Sequence, residues 1–157
     1  MAAFSRARTS TGAGTFAILV LVLAFGNQAY TEWADRHAQG QNARDLFLRT
    51  LAWPSWSLGG GSNVLARDLR ALLLIVFVAA IIGMAASSTG PGAGSFFLGW
   101  FAVMLGAALA ALLTAFLTSG SSLYGGLLAS LTAAGYGPFV GWIVGIAAAV
   151  GRRGGGP

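Results

Sequence analysis

The side chains best suited to chemistry lie close together in one short segment, residues 31–39. Glu32 and Asp35 are carboxylates that come just before His37, the single histidine of the chain. One imidazole beside two carboxylates suits acid–base work or a metal ion. The same spacing also describes a solvated helix end in which Glu32 and Arg36 pair at i,i+4. We favour the solvated helix end, because a histidine there needs no special role and the spacing predicts no serine–histidine–aspartate arrangement.

Most of the remaining chain lacks ionic side chains. From Ala71 to Gly151 there is no Asp, Glu, Lys, Arg or His. Charged residues make up 8% of the chain, against about 25% in an ordinary soluble domain, and the mean hydropathy is +0.75. A water-soluble surface needs mixed charge, whereas hydrocarbon does not. We therefore predict an integral membrane protein that is not an enzyme, since chemistry inside a membrane uses ionisable side chains.

The basic residues and the absence of cysteine limit which cofactors and partners can be expected. Nine arginines and no lysine give a net charge of +5. Beside apolar spans, arginines indicate lipid phosphate and membrane topology rather than nucleic acid. The lack of cysteine excludes disulfides, thiolate metal sites and cysteine nucleophiles. We expect no cofactor and no bound metal, and the lipid bilayer as a partner. Arginine-only usage with abundant Ala and Gly is typical of a GC-rich bacterium, which favours the inner membrane.

Four apolar stretches are long enough to cross a bilayer, which takes about 20 residues per helix. We predict an all-α integral membrane protein, a bundle of four transmembrane helices forming a single membrane domain over residues 1–157. The spans are placed at about 15–30, 69–86, 95–118 and 123–150.

The first span has an alternative interpretation as a signal peptide. Arg6 and Arg8 precede an apolar stretch that ends near a passable cleavage site at Ala24-Phe25-Gly26. We favour a retained anchor.

The arginines also predict the orientation. Arg6 and Arg8 precede the first span, and Arg152 and Arg153 follow the fourth. Both termini are therefore placed in the cytoplasm, and an even number of spans agrees with this. The loop 31–68 then faces outward, although the arginine count is five against four in its favour: Arg36, Arg44, Arg49 and Arg67, with Arg70 at its edge. The assignment therefore depends on the first span.

The loop between the first two spans is predicted to touch the membrane surface. Residues 31–39 are expected to continue the first helix, and Ala43 to Trp53 reads as a short amphipathic helix in the headgroup layer, with Asp45 on its polar side. Pro54 ends it, Gly59-Gly60-Gly61 forms a joint, and Ser62 or Asn63 caps the next span. The expected interface anchors are aromatic and basic: Trp33, Trp53, Trp56, Arg44 and Arg49.

Two spans carry small residues at every fourth position, a pattern that lets helix backbones approach closely. Span three has Ala102, Gly106 and Ala110, continued by Thr114 and Thr118. Span four has Gly137, Gly141 and Gly145, continued by Ala149. These faces predict either packing within the bundle or a surface for another membrane subunit.

Span four is interrupted by Gly135-Tyr136-Gly137-Pro138. Pro138 lacks a backbone donor and clashes with the preceding turn, so a break in the helix is expected here, with Gly135 and Gly137 relaxing it. Broken helices form binding sites in some transporters. A plain kink is favoured, because no acidic residue lies nearby in sequence.

Two functions fit these features. The first is a non-catalytic accessory or stabilising subunit of a larger bacterial inner-membrane complex, respiratory or transport, held to other integral subunits by its small-residue faces. The second is a small carrier or binding protein for lipid or another uncharged solute. Its pathway would run beside the broken helix along Thr114, Ser130, Thr132 and Tyr136.

Overall fold

The computed structural model describes residues 2–57, 62–89, 92–120 and 122–153. Within these ranges all the regular structure is helical. The helices are α1 (Ala2–Phe25), α2 (Gln28–His37), α3 (Ala43–Leu51), α4 (Ser62–Ala85), α5 (Ala93–Ser119), α6 (Leu123–Ala134) and α7 (Tyr136–Arg153). The predicted all-α fold is confirmed.

Two helices are long and apolar enough to cross a membrane by themselves, in the segments Val64–Ala85 and Ala93–Thr118. Two further pairs meet the same criterion only together, and both are bent. The axes of Ser10–Phe25 and Gln28–His37 differ by 64°, and those of Leu123–Ala134 and Tyr136–Gly151 differ by 50°. The described chain thus has two to four candidate membrane spans, consistent with a membrane protein.

The prediction that residues 31–39 continue the first helix is wrong. Helix α1 ends at Phe25, and Asn27 caps both helices at the bend. Its side-chain Oδ1 accepts from Tyr30 N at 2.9 Å, while its Nδ2 donates to the carbonyl oxygens of Leu23 and Ala24 at 3.2 and 2.7 Å. An asparagine that satisfies donors of α2 and acceptors of α1 stabilises the turn against a straight helix.

Helix α5 lies at the centre of the bundle and contacts α4, α6 and α7, while α1 packs on α4 and α7. Ser10 Oγ donates a 2.9 Å hydrogen bond to Ala148 O, which ties α1 to α7 and places the first part of α1 and the last part of α7 at the same end of the bundle. Large aliphatic side chains from four helices fill the core: Ile18, Leu74, Val78, Ile82, Val103, Val140 and Val144.

The two sides of α5 differ in residue size. Small buried residues face its neighbours, whereas large apolar side chains at every fourth position point outward: Phe97, Phe101, Leu105, Leu109 and Leu113. Such an outward apolar row suits hydrocarbon surroundings.

Helix α3 lies where the amphipathic helix was predicted, but its buried and exposed sides differ from the prediction. Asp45, expected on the polar face, is buried, and Leu46 is half exposed. The Asp45 carboxylate accepts from Gly40 N at 2.8 Å and from Asn42 Nδ2 at 3.4 Å, so it closes the turn between α2 and α3. The predicted joint Gly59-Gly60-Gly61 and the side chains of the expected caps Ser62 and Asn63 lie outside the described residues.

Candidate functional site

A cavity of about 870 Å³ lies where the loop between α1 and α4 meets the break between α6 and α7. Helices α2 and α3 and the segment 52–57 form one wall, and the start of α4 forms a second. The third wall consists of the end of α6 and the first turn of α7, including Thr132, Tyr136 and Phe139. Ligand pockets typically measure about 300–1,000 Å³, so the cavity has room for a small molecule or a lipid headgroup.

The segment 52–57 is fixed to the end of α1 by two hydrogen bonds from Trp56. Its main-chain N donates to Gly26 O at 2.7 Å, and its indole Nε1 donates to Val22 O at 3.0 Å. Pro54 is fully buried against Gly26, where an added Cβ would also lie 3.0 Å from Trp56 Cδ1. Gly26 is therefore needed for this close approach, and the wall of the cavity is held by the backbone of α1.

The Trp53 ring contacts both the Arg70 guanidinium and the Tyr136 phenol at the inner end of the cavity. Its ring centroid lies 5.4 Å from that of Tyr136 and 5.6 Å from the Cζ atom of Arg70. A guanidinium over an indole face is attracted by the ring electrons. Arg70 Nε and the Tyr136 hydroxyl are buried without a hydrogen-bond partner among the described residues. Unpaired buried donors are uncommon in folded proteins, so this is a notable polar position beside apolar helices.

Charged side chains of both signs surround the mouth of the cavity. Glu32 and Asp35 come from α2, Arg49 from α3 and Arg67 from α4. The Glu32 carboxylate accepts from Gln28 Nε2 at 2.8 Å. In the described part of the chain, Asp35, Arg49 and Arg67 make no ion pair. The mouth therefore presents charges that are free to meet a polar ligand.

A smaller groove of about 390 Å³ lies next to the cavity, between α4 and α6 and over Ala111 of α5. Trp53 and Thr132 line both spaces, and Arg70 lines the groove. Leu128 forms part of its outer edge and is half exposed. The site thus consists of a cavity with charged residues at its mouth and a smaller, mostly apolar groove that shares two wall residues with it.

The structure brings only some of the predicted residues to this site. Arg49, Trp53 and Trp56 line the cavity, whereas Trp33 stacks on His37 at a centroid distance of 5.1 Å and Arg44 is exposed.

Of the polar residues assigned to the carrier pathway, Thr132 and Tyr136 line the cavity. Ser130 lines neither space, and Thr114 is buried in α5 with its hydroxyl unpartnered among the described residues.

The glycine face of α7 packs inside the chain, on α5. A Cβ added at Gly137 would lie 2.7 Å from Met104 Cα, one at Gly141 would lie 2.9 Å from Trp100 O, and one at Gly145 would lie 2.6 Å from Phe96 O. These contacts run in opposite directions along the two helices, so α5 and α7 are antiparallel. The break at Gly135 therefore lies where α7 begins its contact with α5.

The small face of α5 is also covered within the chain. A Cβ added at Gly106 would lie 2.8 Å from Val78 Cγ2 of α4. Ala102 and Ala110, one turn to either side of Gly106, are fully buried.

The segment first considered for acid–base or metal chemistry is an exposed helix end. His37 Nδ1 lies 2.9 Å from Trp33 O, and Arg36 Nε donates to the main-chain oxygen of Glu32 at 3.1 Å rather than to its carboxylate. Over residues 2–57, 62–89, 92–120 and 122–153 there is no group of three His, Asp or Glu side chains placed to hold a metal ion.

Two functional residues were missed by sequence reasoning. Arg67 and Arg70 were counted only as loop charges, yet both belong to α4 and line the cavity and the groove. Arg70 directly precedes the apolar run of α4, and an arginine at that position is a signal that could have been followed.

Comparison of the chain with protein-family models, with curated proteins and with solved structures finds no match. The function is therefore argued from the cavity and the groove.

Proposed function

We propose that this chain is a helical protein of the bacterial inner membrane that binds an amphiphilic molecule beside its broken fourth span. The polar part of the ligand occupies the cavity under the loop between α1 and α4. The observation that carries the proposal is that a cavity of about 870 Å³ with charged side chains at its mouth shares the wall residues Trp53 and Thr132 with a mostly apolar groove beside a membrane-length helix.

Binding of the polar part of the ligand is supported by the side chains at the mouth of the cavity. Glu32, Asp35, Arg49 and Arg67 offer donors and acceptors around a chamber whose inner wall is aromatic. Convergent polar groups on an otherwise apolar pocket fix the orientation of a ligand. A polar headgroup fits this combination better than a purely apolar solute does.

The break between α6 and α7 supports the proposal because it creates the inner wall. The helices diverge by 50°, which lets α6 follow the second half of α5 while α7 follows the first half. Thr132 and Tyr136 face the cavity from the two sides of this break.

The proposed orientation has both termini in the cytoplasm. It is supported by the arginines at both ends of the chain and by the Ser10–Ala148 hydrogen bond, which places the first part of α1 and the last part of α7 at the same end of the bundle. The cavity then opens toward the outer side of the membrane.

The experiment is native mass spectrometry of the protein released from membranes in mild detergent, with identification of the bound molecules. We expect a stoichiometric amphiphile on the wild-type protein. Thr132→Trp, which fills the wall shared by the cavity and the groove, should abolish its retention. Leu131→Trp is the matched control, because Leu131 is 72% exposed and lines neither space.

Two outcomes would contradict the proposal. One is a wild-type protein that carries no amphiphile, and the other is a Thr132→Trp protein that retains as much as wild type. Circular dichroism and size-exclusion profiles that match for the two tryptophan variants would show that a loss at Thr132 is not a folding defect.

The accessory-subunit role remains a second candidate. Its support is the apolar surface of α6, on which Leu123, Leu127 and Leu131 are all exposed, since a neighbouring subunit or lipid would cover them. We rank it second because the small-residue faces of α5 and α7 are covered within the chain. A native mass that includes other membrane subunits in stoichiometric amounts would favour it.

A further inference from the structure

Two arginines one helical turn apart on α4 line the two neighbouring spaces, one each. Arg67 lines the cavity and Arg70 lines the groove. Like charges at this spacing on a helix repel each other. In the described part of the chain neither forms an ion pair, and the contact of Arg70 is with the Trp53 ring.

The nearest acidic residue in sequence is occupied elsewhere. Asp68 lies between the two arginines, but its Oδ1 accepts from Ser57 N at 2.9 Å and so holds the segment 52–57 to α4. In the described part of the chain Asp68 makes no ion pair with Arg67 or Arg70. Each guanidinium group can donate to a phosphate group, whose oxygens accept several hydrogen bonds at once.

The groove beside Arg70 suits a hydrocarbon chain. It is lined mostly by Ala111, Gly125, Leu128 and Ala129, and it shares Trp53 and Thr132 with the cavity. Arg70 lies against Trp53, so the cation of the groove is on the side of a residue that the cavity also uses. The cavity with its charged mouth, the two arginines and the apolar groove correspond to the headgroup, the phosphate and an acyl chain of a phospholipid.

On the basis of the proposed function, we propose that the ligand is a phospholipid whose phosphate bridges Arg67 and Arg70, with one acyl chain in the groove between α4 and α6. Trp53 then lies beside the phosphate, and the headgroup beyond it extends into the cavity. The phosphate neutralises the two guanidinium groups, and the acyl chain covers Ala111 and Leu128.

The test is a competition for the delipidated protein among lipids with identical acyl chains, read by native mass spectrometry. Phosphatidylglycerol and phosphatidylethanolamine carry the phosphate, and a diacyl glycolipid does not. Glycerol phosphate carries the phosphate without acyl chains. We expect the two phospholipids to bind at least about tenfold more tightly than either of the others, the size of effect that follows from losing a hydrogen bond to a charged group.

The variants Arg67→Gln and Arg70→Gln should each reduce phospholipid binding by about tenfold and bring it close to that of the glycolipid. Arg44→Gln is the matched control, since Arg44 is exposed on α3 and lines neither space. Arg67 is exposed, so its replacement leaves the core untouched and keeps the test valid if Arg70→Gln folds poorly. Leu128→Trp should weaken phospholipid binding but not glycerol phosphate binding.

Equal binding of glycolipid and phospholipid, or unchanged preference in Arg67→Gln, would overturn the phosphate assignment while leaving amphiphile binding intact. Glycerol phosphate that binds as tightly as the phospholipids would overturn the acyl-chain assignment. Failure of the protein to retain any of the three lipids would instead refute the proposed function itself.

Discussion

The indole Nε1 of Trp100 in α5 donates a 3.1 Å hydrogen bond to the main-chain oxygen of Gly137 in α7. Gly137 lies in the first turn after the break, and a Cβ there would lie 2.7 Å from Met104 Cα. The bond therefore fixes the beginning of α7 to the central helix at the position where the backbones approach closely. The wall of the cavity that contains Tyr136 depends on this contact.

Replacing Trp100 with Phe should destabilise the protein by about 1 kcal/mol, because the ring is kept but the hydrogen bond across the two helices is lost. The measurement is the free energy of unfolding in mixed detergent micelles. Trp142→Phe is the control, since the Trp142 indole is 42% exposed and donates locally to Phe139 O at 2.8 Å. A Trp142→Phe protein less stable than Trp100→Phe would contradict the assignment.

Replacing Gly141 with Ala should destabilise the protein by about 1–3 kcal/mol, the usual cost of overpacking. The added Cβ would lie 2.6 Å from Trp100 Cδ1 and 2.9 Å from Trp100 O, so α5 and α7 must separate. Gly12→Ala is the control, because its Cβ meets nothing within 4 Å and alanine is the better helix former by about 1 kcal/mol. Thermal unfolding in detergent should place the two variants on opposite sides of wild type, and equal shifts would refute the packing argument.

Replacing Pro138 with Ala should reduce the 50° bend between α6 and α7 and weaken amphiphile retention. Alanine restores a backbone donor and removes the clash of the proline ring with the preceding turn, so the two helices can join. The bend is measured by the distance between spin labels at introduced cysteines replacing Leu127 and Ile146, which are both exposed in a chain without native cysteine. We expect a longer distance between the two spin labels in Pro138→Ala than in the protein with Pro138, together with lower retention of the amphiphile.

The control for this experiment is Gly135→Ala. Gly135 has φ −60° and ψ −18°, a conformation that alanine adopts readily, so the bend and the retention should persist. If Gly135→Ala straightens the pair and Pro138→Ala does not, the glycine rather than the proline causes the break.

Much of the secondary structure could be predicted from apolar length alone. The helices from Ser62 to Ala85 and from Ala93 to Ser119 lie where the apolar runs place them, since a long uncharged stretch has few alternatives to a helix in hydrocarbon. The bend at Asn27 was missed because its cause is a set of hydrogen bonds to Leu23, Ala24 and Tyr30. Apolar periodicity does not encode such a cap.

The candidate site could be predicted only in fragments. Its residues come from α2, α3, α4, α6 and α7, and no local pattern relates Arg67 to Trp53 or Tyr136. The buried and exposed sides of α3 were predicted from the periodicity of its apolar residues. Periodicity does not show that the Asp45 carboxylate accepts a hydrogen bond from Gly40 N and is therefore buried.

The sequence by itself predicted hydrocarbon surroundings and determined the small-residue spacing of the helices, because these depend on side-chain type and spacing along one helix. Only the tertiary structure decided that the glycine face of α7 packs on α5 and that Arg70 lies against Trp53. Such contacts join residues far apart in the chain, and the bends before α2 and α7 set which of them meet.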